Sequence, residues 1–169
     1  MFDKFGEFDS FEEINRLAEN EKNEGDTEAV KNLAKENGLD PEDTKDYLDG
    51  YCDTLCTATS AAEGKVRAEI KEYKLKEGTG LYDFAEEVIG YSIKNADFAR
   101  AVRKKGKSIT GYLASVIDYS FTHGYEVPTE IVKQTKKAKT VMGGNNPRLG
   151  DTSIKDRIYL MGQYYGVRP

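Results

Sequence analysis

The chain has 169 residues, of which 33% are charged and 38% hydrophobic, and a formal net charge of −5 at neutral pH. No run of about 18 apolar residues exists to span a membrane, and the opening MFDKFGEFDS has no apolar stretch behind a basic flank, so no secretory signal is read. One His, two Cys and no Trp argue against a metalloenzyme: no metal and no cofactor are expected, in a chain read as soluble and cytoplasmic.

Ile, Leu, Val and Phe supply about a fifth of the residues, near the boundary below which chains fail to bury a core, but 11 Tyr add amphipathic core material. Along the chain the apolar residues recur at helical spacing. Ser10 followed by Glu13 forms a capping box, and Phe11, Ile14, Leu17 and Ala18 give a first helix over 10–23. Gly25 breaks it. Asp26 or Thr27 caps a second helix with the stripe Val30, Leu33 and Ala34, ended by Asn37-Gly38. Asp40-Pro41-Glu42-Asp43 restarts helix at once, with Asp as cap, Pro where its missing N–H costs nothing and acids at the positive dipole end. Leu48, Tyr51, Cys52 and Leu55 are read as continuing that stripe.

The four-residue spacing of Cys52 and Cys56 places both thiols on one face of this predicted helix, a geometry poor for a disulfide and two ligands short of a zinc site. Two small core residues are expected there. Residues 57–64, TATSAAEG, read as a helix end or hinge, and 65–78 as an exposed helix of alternating acids and bases. Leu81, Phe84, Ala85, Val88 and Ser92 mark a further helix opened by Thr79, and Asp97 caps a short one holding Phe98, Ala101 and Val102. Ser108 caps the strongest amphipathic segment, Ile109 to Ser120, closed at Gly124, with His123 as a cation at its negative end. Pro128 starts a short basic helix, residues 140–151 are rich in turn formers, and Ile154, Ile158, Met161 and Tyr165 make a terminal helix. The expectation is an all-α protein, a compact bundle of about seven to eight short helices in one body or two subdomains. It divides into an acidic part over 1–56, a small-residue hinge with a charged connecting helix over 57–78, and a basic part over 79–169.

Charge is polarised. Residues 1–60 hold 17 acids against 6 bases, and residues 97–169 hold 6 acids against 13 bases. Such asymmetry fits separate partners for the two ends or attraction between them. Gly106-Lys107-Ser108 has the ending of a phosphate-binding loop, but position 101 is Ala where that loop needs Gly, and the preceding residues read as helix, so nucleotide hydrolysis is not expected. What remains is a cluster: Arg100, Arg103, Lys104, Lys105 and Lys107 crowd one window, directly before the N–H groups of the helix that starts at Ser108. Lys133, Lys136, Lys137 and Lys139 extend the same field if the helices pack together. This surface is read as a contact for a nucleic-acid backbone or an acidic protein face. The acidic counterpart, Glu12, Glu13, Glu42, Asp43, Asp46 and Asp49, arrays carboxylates much as phosphates line a duplex, and is read as a surface for a basic channel.

The stretches FDKFGEFDSFEEIN, EGDTEAVKNLAKENGLDPEDTKDYLDG and DFARAVRKKGKSITGYL, with a looser ending over Ile158–Gly166, resemble PcfK-like proteins of mobile elements, a family overlapping the type II-A anti-CRISPR proteins. The similarity runs through most of residues 1–120. The resemblance implies a small non-enzymatic protein that binds and inhibits the RNA-guided type II CRISPR effector nuclease in a bacterial host; the charge reading, independent of it, leaves the basic window to hold DNA, guide RNA or an acidic patch of the nuclease. It assigns no inhibitor residues. A DNA-binding accessory protein of a conjugative element is the alternative.

Overall fold

The computed structural model describes residues 4–137 and 148–169. It is an all-α bundle, with nine helices and one two-stranded sheet among the described residues. Helix α1 spans Phe11–Asn23, α2 Thr27–Glu36 and α3 Pro41–Asp49; α4 spans Ala58–Glu72, α5 Gly80–Lys94 and α6 Ala96–Arg103. Then come α7, Ile109–His123, strand β1, Tyr125–Glu126, α8, Thr129–Gln134, strand β2, Arg148–Leu149, and α9, Ile154–Tyr165.

Side-chain caps set most of these boundaries. Ser10 accepts from Glu13 N, Asp26 from Ala29 N, Asp40 from Glu42 N and Ser108 from Gly111 N, each satisfying an N–H left unpaired at a helix start. The Glu13 carboxylate returns to the N–H of Asp9, one residue before the cap. The short sixth helix is capped by Asn95, not Asp97: the Asn95 side chain accepts from both Asp97 N and Phe98 N. At the far end of α7, His123 Nδ1 lies 3.2 Å from the Tyr119 carbonyl, and its ring stacks on Tyr119 at 4.0 Å.

Two apolar clusters form the core. The first gathers Ile14 and Ala18 of α1, Val30 and Leu33 of α2, and Tyr47 of α3. The second gathers Val88 of α5, Phe98 and Val102 of α6, Ile109 and Tyr112 of α7, and Met161 and Tyr165 of α9. Helix α4 belongs to both, giving Ala61 to the first and Ala58, Ala62, Val66 and Ile70 to the second. Arg157 fastens α9 to α5 through two 2.7 Å bonds to the Glu87 carboxylate.

Three stretches differ from the sequence expectation. Helix α3 stops at Asp49 and does not run on to Leu55, because Gly50 takes the left-handed φ of 83° and the Tyr51 N–H turns back to the Asp46 carbonyl. Tyr51 is therefore 81% exposed, Cys52 sits exposed outside any helix, and of the two cysteines only Cys56 is buried; burial pushes its thiol up to about 12. The second difference is the segment read as a hinge, which forms the first two turns of α4. Its small residues serve close packing: a Cβ on Gly64 would come within 2.4 Å of the Asn37 carbonyl oxygen, and one on Gly38 within 2.2 Å of the Gly64 oxygen. The backbone of the α2–α3 turn lies directly against α4. Third, the helix read as exposed, over 65–78, holds Lys65, Val66, Glu69 and Ile70 inside. The pairing of β1 with β2, Tyr125 opposite Leu149, has no signal in the sequence.

Candidate binding surfaces

The basic window divides between inside and outside. Arg103, expected among surface cations, is 1% exposed. Its Nη2 donates to Asn37 Oδ1 at 2.7 Å and its Nη1 to the Phe8 carbonyl at 3.2 Å, so it ties α6 to the start of the chain and to the α2 terminus. Lys104 and Lys105 are exposed at the side chain while their backbones are engaged. The Lys104 carbonyl accepts from Lys65 Nζ at 2.8 Å, and the Lys105 N–H donates to Asp9 Oδ1 at 3.2 Å. Arg100, exposed, lies 3.4 Å from Asp97 and 4.0 Å from Glu12, with its guanidinium over the Phe11 ring. Lys107 Nζ donates to the Tyr164 carbonyl at 2.6 Å.

The start of α7, read as an anion cradle, already holds an anion. Glu69 Oε2 accepts from the Ile109 N–H at 2.5 Å, and Tyr164 Oη accepts from Ser108 N at 3.0 Å. Around it runs a network that sequence reading missed: Glu7 takes Lys65 Nζ at 2.7 Å and the Gly106 N–H at 3.2 Å, placing acids of α4 and of the chain start against the cations of 100–107. Burial alone would raise the Glu7 carboxyl, but the Lys65 and Gly106 hydrogen bonds and the charges of Lys65 and Arg103 outweigh it and hold the group below the usual carboxylate range. Glu69 is more enclosed, and there desolvation wins: its carboxyl is pushed up to about 6, against the Ile109 bond and the Lys65 charge. Burial likewise lowers Lys65.

Lys133, Lys136 and Lys137 are exposed, and Lys139 lies outside the described residues. Along the chain the 100–107 window precedes the N-terminal end of α7, a helix about 22 Å long, and Lys133–Lys137 come after its C-terminal end, in α8 and just beyond it.

The acidic set behaves differently. Glu13 is committed to the cap of α1 and Glu12 stands near Arg100. Glu42, Asp43, Asp46 and Asp49 are all exposed along α3, and among the described residues none of the four side chains makes an ion pair. Among the described residues, no group of three or more His, Cys, Asp or Glu is arranged to hold a metal ion. Compared with protein-family models, curated proteins and solved structures, the chain matches none.

Proposed function

We propose that this chain is a non-enzymatic binding protein that inhibits an RNA-guided type II CRISPR effector nuclease by laying its acidic helical surface into a basic nucleic-acid channel of that enzyme. The observation that carries the reading is the α3 surface, where the Glu42, Asp43, Asp46 and Asp49 side chains are exposed and make no ion pair among the described residues. Carboxylates presented on a rigid helix compete for arginine and lysine side chains that otherwise hold phosphates, and such complementarity governs association rate and choice of partner. The resemblance of the 2–15, 24–50 and 97–113 stretches to PcfK-like proteins, a family overlapping the type II-A anti-CRISPR proteins, supports the channel of that nuclease as the target. The deciding experiment titrates purified protein into guide-loaded nuclease and target DNA. Stoichiometric loss of cleavage is expected, and simultaneous Lys substitution of the four α3 acids weakens it at least about tenfold; unchanged cleavage at molar excess overturns the reading.

Exposed Lys104, Lys105, Lys133, Lys136 and Lys137 support a second reading as a DNA-binding accessory protein, with DNA or guide RNA held through its phosphates. A salt-sensitive mobility shift of duplex DNA by the protein alone, lost on charge reversal at Lys104 and Lys105, distinguishes it.

A further inference from the structure

A groove of about 930 Å³ runs between α2 and α3. Its floor is carbon: Ala34 and Leu39, both buried, with Leu48 and Pro41 beside them. Its cations are Lys31 and Lys35, one turn apart on α2, and Lys45 on α3, with Asp49 the one acid lining it. This composition runs against its surroundings. Residues 1–60 hold only six Lys and Arg among 17 acids, and three of those six line this groove. Lys35 and Lys45 make no ion pair among the described residues, and Lys31 meets Glu28 only at 3.5 Å, with both side chains more than half exposed.

We infer that the α2–α3 groove docks an amphipathic acidic helix from a partner protein, whose apolar residues fill the floor while carboxylates one turn apart meet Lys31 and Lys35. Thr27–Lys35 and Pro41–Asp49 each extend for about 12 Å, a little over two turns of such a helix. An apolar seam flanked by charge is how a helix seats in a groove: the seam supplies affinity and the lysine rim sets polarity and register. A nucleic-acid strand fits less well, since the floor offers aliphatic carbon and no aromatic ring for a base to stack on. The site lies beside the outward acids of α3, Glu42 and Asp46, which do not line it, and it does not depend on nuclease inhibition.

The probe is a fluorescein-labelled helical peptide of about three turns, with leucines along one face and glutamates along the adjoining edge. Its anisotropy on titration with the full chain is compared with that of a charge-reversed peptide bearing lysines. The acidic peptide is expected to bind saturably and the reversed one to bind weakly. The variant carrying K31E and K35E, two exposed positions, lowers affinity for the acidic peptide about tenfold and raises it for the reversed one. Backbone amide shifts on binding fall within α2 and α3. Equal binding of both peptides, no saturable binding, or shifts elsewhere overturns the proposal. So does a single-stranded oligonucleotide that displaces the peptide while binding tighter, or a concentration-dependent dimer abolished by K31E and K35E, which assigns the groove to a second copy.

Discussion

The two charged regions of this protein treat their charge in opposite ways. Along α3 the acids face water, whereas the basic window sends Arg103 inside and uses the backbones of Lys104–Gly106 as partners for Lys65, Glu7 and Asp9. The difference is one of position. The α3 acids occupy the outer side of a helix whose inward residues, Thr44 and Tyr47, already fill the core. The basic window lies where α6 turns into α7, and α4, α2 and the chain start converge there. A cation at such a junction is desolvated, and it persists only if its donors are met. Density of charge in a sequence thus measures neither exposure nor availability.

The sharpest way to break this comparison is within the basic window itself. Arg103→Ala leaves Asn37 Oδ1 and the Phe8 carbonyl without their buried donor and is expected to cost about 3–4 kcal/mol, read by urea denaturation. Lys104→Ala or Lys105→Ala, two exposed neighbours, changes stability by less than about 0.5 kcal/mol. Equal effects at the three positions would remove the distinction.

Next in size is Gly64→Ala, expected to destabilise by about 2–3 kcal/mol because the new methyl meets backbone carbonyls that cannot rotate away. Thermal unfolding checks it, with Ala68→Gly on the half-buried side of the same helix as the reference for propensity alone.

A pH series tests the enclosed acid. The Glu69 carboxyl is raised to about 6 from 4.5, so its protonated form is favoured by folding. That contribution is present below about pH 4.5 and is lost as the pH rises through 6, amounting to about 2 kcal/mol by neutrality. Glu7, held low, has the opposite sign: its contribution is present above its unfolded value and lost as the pH falls through the folded one. The difference in unfolding free energy between the wild type and Glu69→Gln therefore shifts in favour of the variant between pH 4.5 and 7. A difference independent of pH would show that the acid is solvated. Smallest of all is neutralisation of the outer acids, Glu42→Gln with Asp46→Asn, for which less than about 0.5 kcal/mol is expected in a denaturant titration.

Most helix starts were legible because their capping chemistry is local: Ser10, Asp26, Asp40-Pro41 and Ser108 each sit within three residues of the N–H they serve. The middle of the chain was not. The stretch TATSAAEGKVRAEIKE has the composition of a flexible or solvated segment, yet it is the helix around which the others pack. Nothing local separates Lys65 and Glu69 from the exposed charges beside them, since their partners, Glu7 and Ile109, are 58 and 40 residues away. The same holds for the site. The α3 acids could be read as exposed from helical spacing, but Arg103 differs from Lys104 only through Asn37 and Phe8, which the sequence does not place beside it.

The shared membership of α4 has a thermodynamic consequence. Ala61 and Val66 lie little more than one turn apart and serve different clusters, so melting this helix is expected to loosen both together. Hydrogen exchange is expected to report one cooperative opening: the amides of Val30 and Val116, in separate clusters, exchange with the same free energy and the same dependence on denaturant. With that outcome, a partner that clamps one end is expected to protect the other from proteolysis without touching it.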